Sequence, residues 1–515
     1  MSDYLLGMDV GTTNIKAILF DTAGEAMASA SATYPLLMPQ PGRAEQNALD
    51  WWQGAVEILQ SITRQAGPEM VREIRGICIS SHFPSLLPLD RQGEPLRNAI
   101  IWMDKRAGGE LEEILHTVGE SEYVAGAGGR PDATFLPCKL LWYRRNEPEL
   151  FRRTYRVLQA NGYLNYKLTG VMAMDMDQAS LCQCMDLRTM GWSDTLSRAT
   201  GVDFNAILPQ PVPSGQIIGQ VTPQAAALTG LTAGIPVVAG ASDCTASMYA
   251  TGLSQLGQAG ESAGTTSMLF VGHTRPTPMD IPVVAKPCSI QGIPYFFNAP
   301  VTSSGASIKW YLNTLGQADS QEAAAQGLDV YDYLNRQALK APAGSNGLIF
   351  FPYMQGERAP LWNSYARGMF IGLNLDTQRT HIIRSIFEGT AFSVRHVLET
   401  IAENGAQVHS LRITGGGAKS RTWCQIKASV LKVPVYTLED KTGDVPFGDA
   451  LLLGHALGIF PDFAQCIRRF VKVKECIQPV EEWSRVYDQL YPYYLDLYRR
   501  LDGDLRAMQE TMREL

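Results

Sequence analysis

The 515-residue chain has no apolar run of the roughly 18 or more residues that a membrane-spanning helix needs. A membrane partner is therefore not expected. Its first apolar stretch is broken by Asp9, which removes the pattern of a secretory leader. Charged residues are few, at 18%, and the balance is slightly acidic, with a net charge of −7. No basic stripe and no Lys/Arg tract interleaved with aromatics is present, so nucleic acid is not expected as a partner. The nine cysteines are odd in number and scattered. Cys182-Gln183-Cys184 has no second Cys/His pair at zinc-site spacing, which argues against a zinc cage. Unpaired, scattered cysteines fit a reducing, cytoplasmic setting. Solenoid-type repeats and low-complexity linkers are missing too.

What is present is an ordinary globular composition, 45% apolar, in a chain long enough for several domains and a core without disulfide staples. Tyr4–Val10 and Asn14–Phe20 read as strands joined by Gly11-Thr12-Thr13. Asp50 is the expected N-cap of a helix from Trp51 to Arg64. Arg75–Ser80 and Ile235–Ala239 read as strands; Leu136–Arg145, Gly162–Leu168 and Thr245–Thr251 as helices. The second half repeats the scheme. A strand–turn–strand unit surrounds Gly264-Thr265-Thr266, and Leu348–Phe351 and Leu411–Thr414 are further strands. Ser307–Leu312, Arg384–Glu399 and Thr422–Leu431 read as helices, and Trp483–Tyr491 as part of a terminal amphipathic helix. Mixed strands and helices throughout predict an α/β fold. The expected division is residues 1–250 and 251–515, with the last helix returning to the first domain.

The paired Gly-Thr-Thr turns carry the chemistry. Glycine lets backbone N–H groups approach phosphate oxygens, and threonine hydroxyls add donors. The first turn supplies Thr12, Thr13 and Asn14, with Lys16 adding charge; the second supplies Gly264 and Thr265. Asp9, as a carboxylate, is suited to hold a magnesium-bound water. Asp243 follows the run Val237-Val238-Ala239-Gly240. It is placed either to accept a proton from an attacking hydroxyl or to cap the helix from Thr245, or both. Gly415-Gly416-Gly417-Ala418 leaves a flat, small-residue face of the kind an adenine ring needs. Gly305-Ala306-Ser307 offers a second such face, or a helix-packing contact.

At these residues the chain resembles the FGGY family of carbohydrate kinases, of the actin/Hsp70/sugar-kinase superfamily, over about residues 4 to 460. Gly368-Met369-Phe370-Ile371-Gly372-Leu373, His381-Ile382 and Ser385-Ile386-Phe387-Glu388 fit the C-terminal pattern. Lys139-Leu140-Leu141-Trp142 with Arg145-Asn146 fits the N-terminal one, while Leu136 and Tyr143 depart from it. Trp102-Met103-Asp104-Lys105-Arg106 and Phe351–Pro360 are similar to stretches of xylulokinase-type members.

The resemblance implies two actin-like (ribonuclease H-like) domains around a cleft. It further implies ATP and Mg2+ as cofactors, and a small sugar such as xylulose, or a polyol, as substrate. It implies Asp243 as the general base and Asp9 as the magnesium-linked acid. Gly305, Lys309, Gly416 and Ser420 would lie at the nucleotide, and His82, Asp104 and Arg106 at the sugar. Family members often pair, so a homodimer is expected. The stretch Ser80-Ser81-His82-Phe83-Pro84 and Cys244, where these kinases usually carry Asn, depart from the pattern, so the acceptor is left open. An actin/Hsp70-like ATPase and a catalytically silent sugar-binding regulator are the competing readings. Too little chain follows Ala418 for a chaperone's substrate module, and intact Asp9, Asp243 and both turns argue against the regulator.

Overall fold

The computed structural model describes residues 3–275, 284–439 and 444–514. In the first half, β1 (Tyr4–Val10), β2 (Asn14–Asp21) and β3 (Ala26–Thr33) form an antiparallel meander. The chain then enters α1 (Ala48–Arg72) and returns as β4 (Ile74–Ser81), parallel to β1. Trp51, Ala55, Ile58, Leu59 and Ile62 recur at helical spacing and bury one face of α1 on the sheet. Asn47 caps α1 by accepting from the Leu49 amide at 3.1 Å, and the expected cap Asp50 lies inside the first turn. The buried, apolar Ala48 extends the helix one turn further back than the sequence reading allowed.

Several helices follow, among them α2 (Leu136–Asn146), one over Ala160–Thr169 and α3 (Met176–Leu181). Then come β5 (Ile217–Gln220), β6 (Pro236–Val238) and α4 (Asp243–Ala250). The sheet order is β5-β6-β4-β1-β2-β3.

The second half opens with the hairpin β7 (Gln258–Ala263) and β8 (Ser267–His273). It continues through β9 (Val284–Pro287), β10 (Tyr295–Val301), α5 (Gly305–Thr314), α6 (Val330–Ala338) and α7 (Arg379–Glu403). Next are β11 (Ser410–Thr414), α8 (Arg421–Leu431), β12 (Val435–Leu438), α9 (Val445–Ala456), β13 (Val473–Ile477) and α10 (Glu481–Glu514). This sheet runs β9-β10-β8-β7-β11-β12-β13. The hairpin β7–β8 with parallel β11 repeats the arrangement of β1–β2 with parallel β4.

One element crosses between the halves. Helix α9 is buried from Pro446 to Gly454 and apolar there apart from Asp449, and it packs on β1, β4 and α4 of the first half. Glycines permit the approach: a Cβ on Gly7 would lie 2.0 Å from the Pro446 carbonyl oxygen, and one on Gly448 would lie 1.9 Å from that of Ala246. The last helix, expected to return to the first domain, instead packs within the second. Tyr487, Tyr491, Tyr494 and Tyr498 form a stripe on α10 that joins Phe351, Tyr353 and Phe392 in one cluster. Tyr494 and Tyr353 hydroxyls are 2.6 Å apart, and Arg384 donates to the Tyr487 hydroxyl at 2.9 Å. Each such ring buried contributes about 1.5–3 kcal/mol, enough to hold the helix where its stripe points.

Candidate active site

The first turn is built from the end of β1. The Gly11 amide donates to the Asn14 carbonyl at 2.9 Å, closing the loop to β2. Tyr34 pins it from below through the Gly11 and Asn14 carbonyls. Gln46 donates to the Thr12 carbonyl at 2.6 Å and Trp102 to the Thr12 hydroxyl at 3.0 Å. Thr12 is held, its own O–H still a donor, while Thr13 and Asn14 are exposed.

Asp9 sits one residue before the end of β1, in register with Lys16 on β2 and Ser80 on β4. Burial, then the charges of Asp243 and Asp444, drive its carboxyl well above the usual range. Its Oδ1 is buried without a protein partner. Lys16 is ion-paired with Asp444, the residue that leads into α9. Asp449, on α9, lies fully buried behind this corner and accepts from the Ser80 hydroxyl at 2.7 Å.

Asp243 opens α4 where β6 ends. A Cβ at Gly240 would fall 2.0 Å from the Ile79 carbonyl oxygen, so the chain passes β4 at a distance only glycine permits. The cap of α4 is Ser242, whose Oγ accepts from the Thr245 amide at 3.2 Å. This overturns Asp243 as the helix cap and leaves its carboxylate for other work. Asp177 fixes the turn, accepting from the Ser242 amide at 2.8 Å, its hydroxyl at 2.7 Å and the Thr245 hydroxyl at 2.8 Å. Asp243 Oδ1 accepts from the Cys244 amide at 2.7 Å. Burial lifts the Asp243 carboxyl to about 6, against the pull of that amide and of the Lys286 ammonium, with Asp177 adding to the rise. A carboxylate poised near the working pH is what a general base needs.

The expected sugar-side residues lie in the same half. His82 follows β4, its amide donating to the Val10 carbonyl at 3.0 Å. The ring is buried, edge-on to Trp51 at 5.8 Å, and its Nε2 has no protein partner. Burial, then the Lys139 charge, pushes its pKa down to about 3. His82 is therefore a neutral hydrogen-bonding group.

Asp104 and Arg106 pair with each other, and the pair is buried: their side chains are 0% and 3% exposed. Asp104 accepts from the Ala44 amide at 2.7 Å and from the Arg106 amide, Nε and Nη2 at 3.0, 2.8 and 2.6 Å. Burial alone would raise its pKa, but the Arg106 hydrogen bonds outweigh it and hold the carboxyl below the usual range. Arg106 also reaches Glu45 and lies over the Trp142 ring at 4.9 Å. Lys139 is fully buried beneath, donating to the Ile101 carbonyl at 2.8 Å, and burial lowers it to about 7. These charges hold the loop around Trp102, through the Ala44 amide and the Ile101 carbonyl.

The second turn stands at the equivalent place in the second sheet. The Gly264 amide donates to the Thr266 carbonyl at 2.8 Å, and residues 264–266 are exposed. The amides of Gly305 and Ala306, starting α5, donate to the Gly264 and Thr265 carbonyls at 3.1 and 2.9 Å. A Cβ at Gly305 would lie 2.5 Å from the Gly264 oxygen. Gly415, at φ 80°, passes Ala263 as closely, whereas Gly416 meets nothing within 4 Å and leaves an open face. Ser420 caps α8 through the Trp423 amide and donates to Asn335 of α6 at 2.5 Å. Its hydroxyl is thus already engaged. Lys309 is exposed on α5. Beneath lies a fully buried ion pair, Lys427 with Glu261, the latter also accepting from Ser267 at 2.7 Å.

Sequence reasoning missed Asp177, Lys286, Asp444 and Asp449, which reach the site from distant segments with no local motif. Among the described residues no cluster of three or more metal-ligating side chains occurs, and no helix is long and apolar enough to cross a membrane.

Two α/β units with equivalent hairpins, a turn at the tip of each and carboxylates at two strand ends make up the two-domain sugar-kinase fold. The chain belongs to the FGGY family of carbohydrate kinases: the family's N-terminal domain matches residues 4–250 and its C-terminal domain residues 260–457. It is 29% identical to xylulose kinase of Bacillus subtilis, covering 99% of both chains. It is 27% identical to gluconokinase of that organism, over 100% of this chain and 99% of the other. The solved xylulose kinase from Rhodospirillum rubrum matches with a TM-score of 0.89 at 29% identity, over 98% of this chain and 100% of the other. The gluconate kinase from Lactobacillus acidophilus matches with 0.89 at 25%, over 99% and 100%.

Proposed function

We propose that the protein transfers the terminal phosphate of ATP to a hydroxyl of a small ketose or related polyol, with xylulose the first candidate. The observation that carries this reading is Asp243: half-buried, relieved of capping by Ser242, and lifted to about 6. In its ionised form it accepts the proton of the attacking hydroxyl as that oxygen bonds to phosphorus. The neutral His82 and the Trp102 loop, braced by Asp104 and Arg106, orient the sugar. Backbone and hydroxyl donors at Thr12, Thr13, Asn14, Gly264 and Thr265 hold the phosphates. Gly305, Lys309, Gly416 and Ser420 border the nucleoside.

The orphaned, buried Oδ1 of Asp9 fits a magnesium ion held through water. When bound, that ion offsets charge on the phosphates. Lys16, tied to Asp444, joins the hairpin of the first half to α9. Closure of the two units would keep water from the phosphate.

The test is ADP release measured with and without a panel of pentuloses, hexuloses, tetruloses, polyols and gluconate. Sugar-dependent release, greatest with one ketose or polyol, supports the proposal. Gluconate as sole acceptor would overturn the substrate class, and equal release without sugar would overturn the kinase step.

A further inference from the structure

The residue after the proposed base is contacted from the second half of the chain. Cys244 Sγ receives Lys286 Nζ at 3.1 Å and Asn298 Nδ2 at 3.4 Å, both from the second sheet. Lys286 is fully buried and donates also to the Thr245 hydroxyl at 3.0 Å, with Asp177 at 3.8 Å. Asn298 is 4% exposed, and its Oδ1 has no protein partner.

The placement follows from strand register. Asn298 pairs with Phe270 of β8, and Lys286 with Phe296 of β10, so all four side chains share one face of that sheet. Phe270 and Phe296 pack with Met248 and Tyr249 of α4. The polar end of this face meets the first turn of α4, where Asp243 stands. With Nδ2 spent on the sulfur, the carbonyl oxygen of Asn298 turns away from Cys244. A buried amide oxygen left unpaired costs free energy unless something pairs with it.

We propose that Asn298 is a specificity-determining residue of the sugar site: its Oδ1 accepts a hydrogen bond from a substrate hydroxyl next to the one that Asp243 deprotonates, and Lys286, through Cys244, is the positioning residue that fixes it. This rests on the sugar-kinase reading of Asp243. It places one sugar contact on the second unit, so that recognition of the hydroxyl requires both units.

The experiment compares wild type, Asn298→Ala and Asn298→Asp on the best sugar found and on its monodeoxy analogues. Asn298→Ala should raise KM for the sugar about tenfold, the scale of one lost hydrogen bond, with KM for ATP unchanged. One deoxy analogue, poor for wild type, should be no worse than the parent sugar for Asn298→Ala. Asn298→Asp, which keeps an acceptor oxygen, should retain that discrimination.

An Asn298→Ala enzyme that keeps the wild-type sugar KM and still discriminates among all deoxy analogues overturns the assignment. So does a uniform loss of kcat and thermal stability in both variants without a change in discrimination. Failure of wild type to phosphorylate any sugar would instead bring down the kinase reading on which the assignment rests.

Discussion

Trp102 donates its indole N–H to the hydroxyl of Thr12 at 3.0 Å, joining the loop that carries Asp104 and Arg106 to the Gly11-Thr12-Thr13 turn. On the proposed function, this bond makes the sugar side and the phosphate side mechanically one. Thr12→Val should leave the indole N–H unpaired and cost about 1–3 kcal/mol of stability. It should also lower kcat/KM for sugar and ATP together. Thr12→Ser, which keeps the hydroxyl, should preserve most of both. Chemical denaturation and steady-state kinetics of the pair check this.

The proposed base, Asp243, should set the acid limb of activity. Its carboxyl is lifted to about 6, and a general base must be ionised to accept a proton, so kcat/KM should be flat above that value and fall as pH drops through it. Below it the loss should approach about tenfold per pH unit. A pH–rate profile for the preferred sugar at saturating ATP gives the midpoint directly.

Asp449 gives a stability effect of opposite sense to a surface carboxylate. Burial, first of all, raises its pKa well above the ordinary value, so the folded protein favours the protonated form. An unfolded Asp ionises near pH 3.9, so stability is lost as pH climbs from about there toward the folded value. Asp449→Asn removes that penalty and still accepts from Ser80. Its stability relative to wild type should rise as pH climbs above about 4 in urea melts at each pH.

A methyl group tests the proposed nucleotide side. Gly305→Ala would put a Cβ 2.5 Å from the Gly264 carbonyl oxygen. The second turn must shift, which costs about 1–3 kcal/mol by overpacking. KM for ATP should rise at least severalfold while KM for the sugar stays near wild type.

Much of this was legible in the chain itself, for local reasons. The hairpins of both halves announce themselves as apolar runs broken by Gly-Thr-Thr, and Asp243 as a carboxylate at the end of a buried strand. Caps were less legible. Asn47 and Asp50 are both good capping residues three apart, and so are the neighbours Ser242 and Asp243; packing of Ala48 and the grip of Asp177 decide between them. What could not be read is what long-range packing assembles. Helix α9 lies in the second half of the sequence yet packs on the first sheet, bringing Asp444 and Asp449 to Asp9. Lys286 and Asn298 reach Cys244 only because two strands of the second sheet face α4. The tyrosine stripe of α10 was visible as amphipathic spacing, but not which unit it would cover.

The most direct test is the turnover of Asp243→Asn on the preferred sugar, in protein that melts like wild type. The expected result is a fall in kcat of at least about a hundredfold, the scale of a lost proton acceptor, with KM for ATP little changed. Turnover near wild type would contradict it.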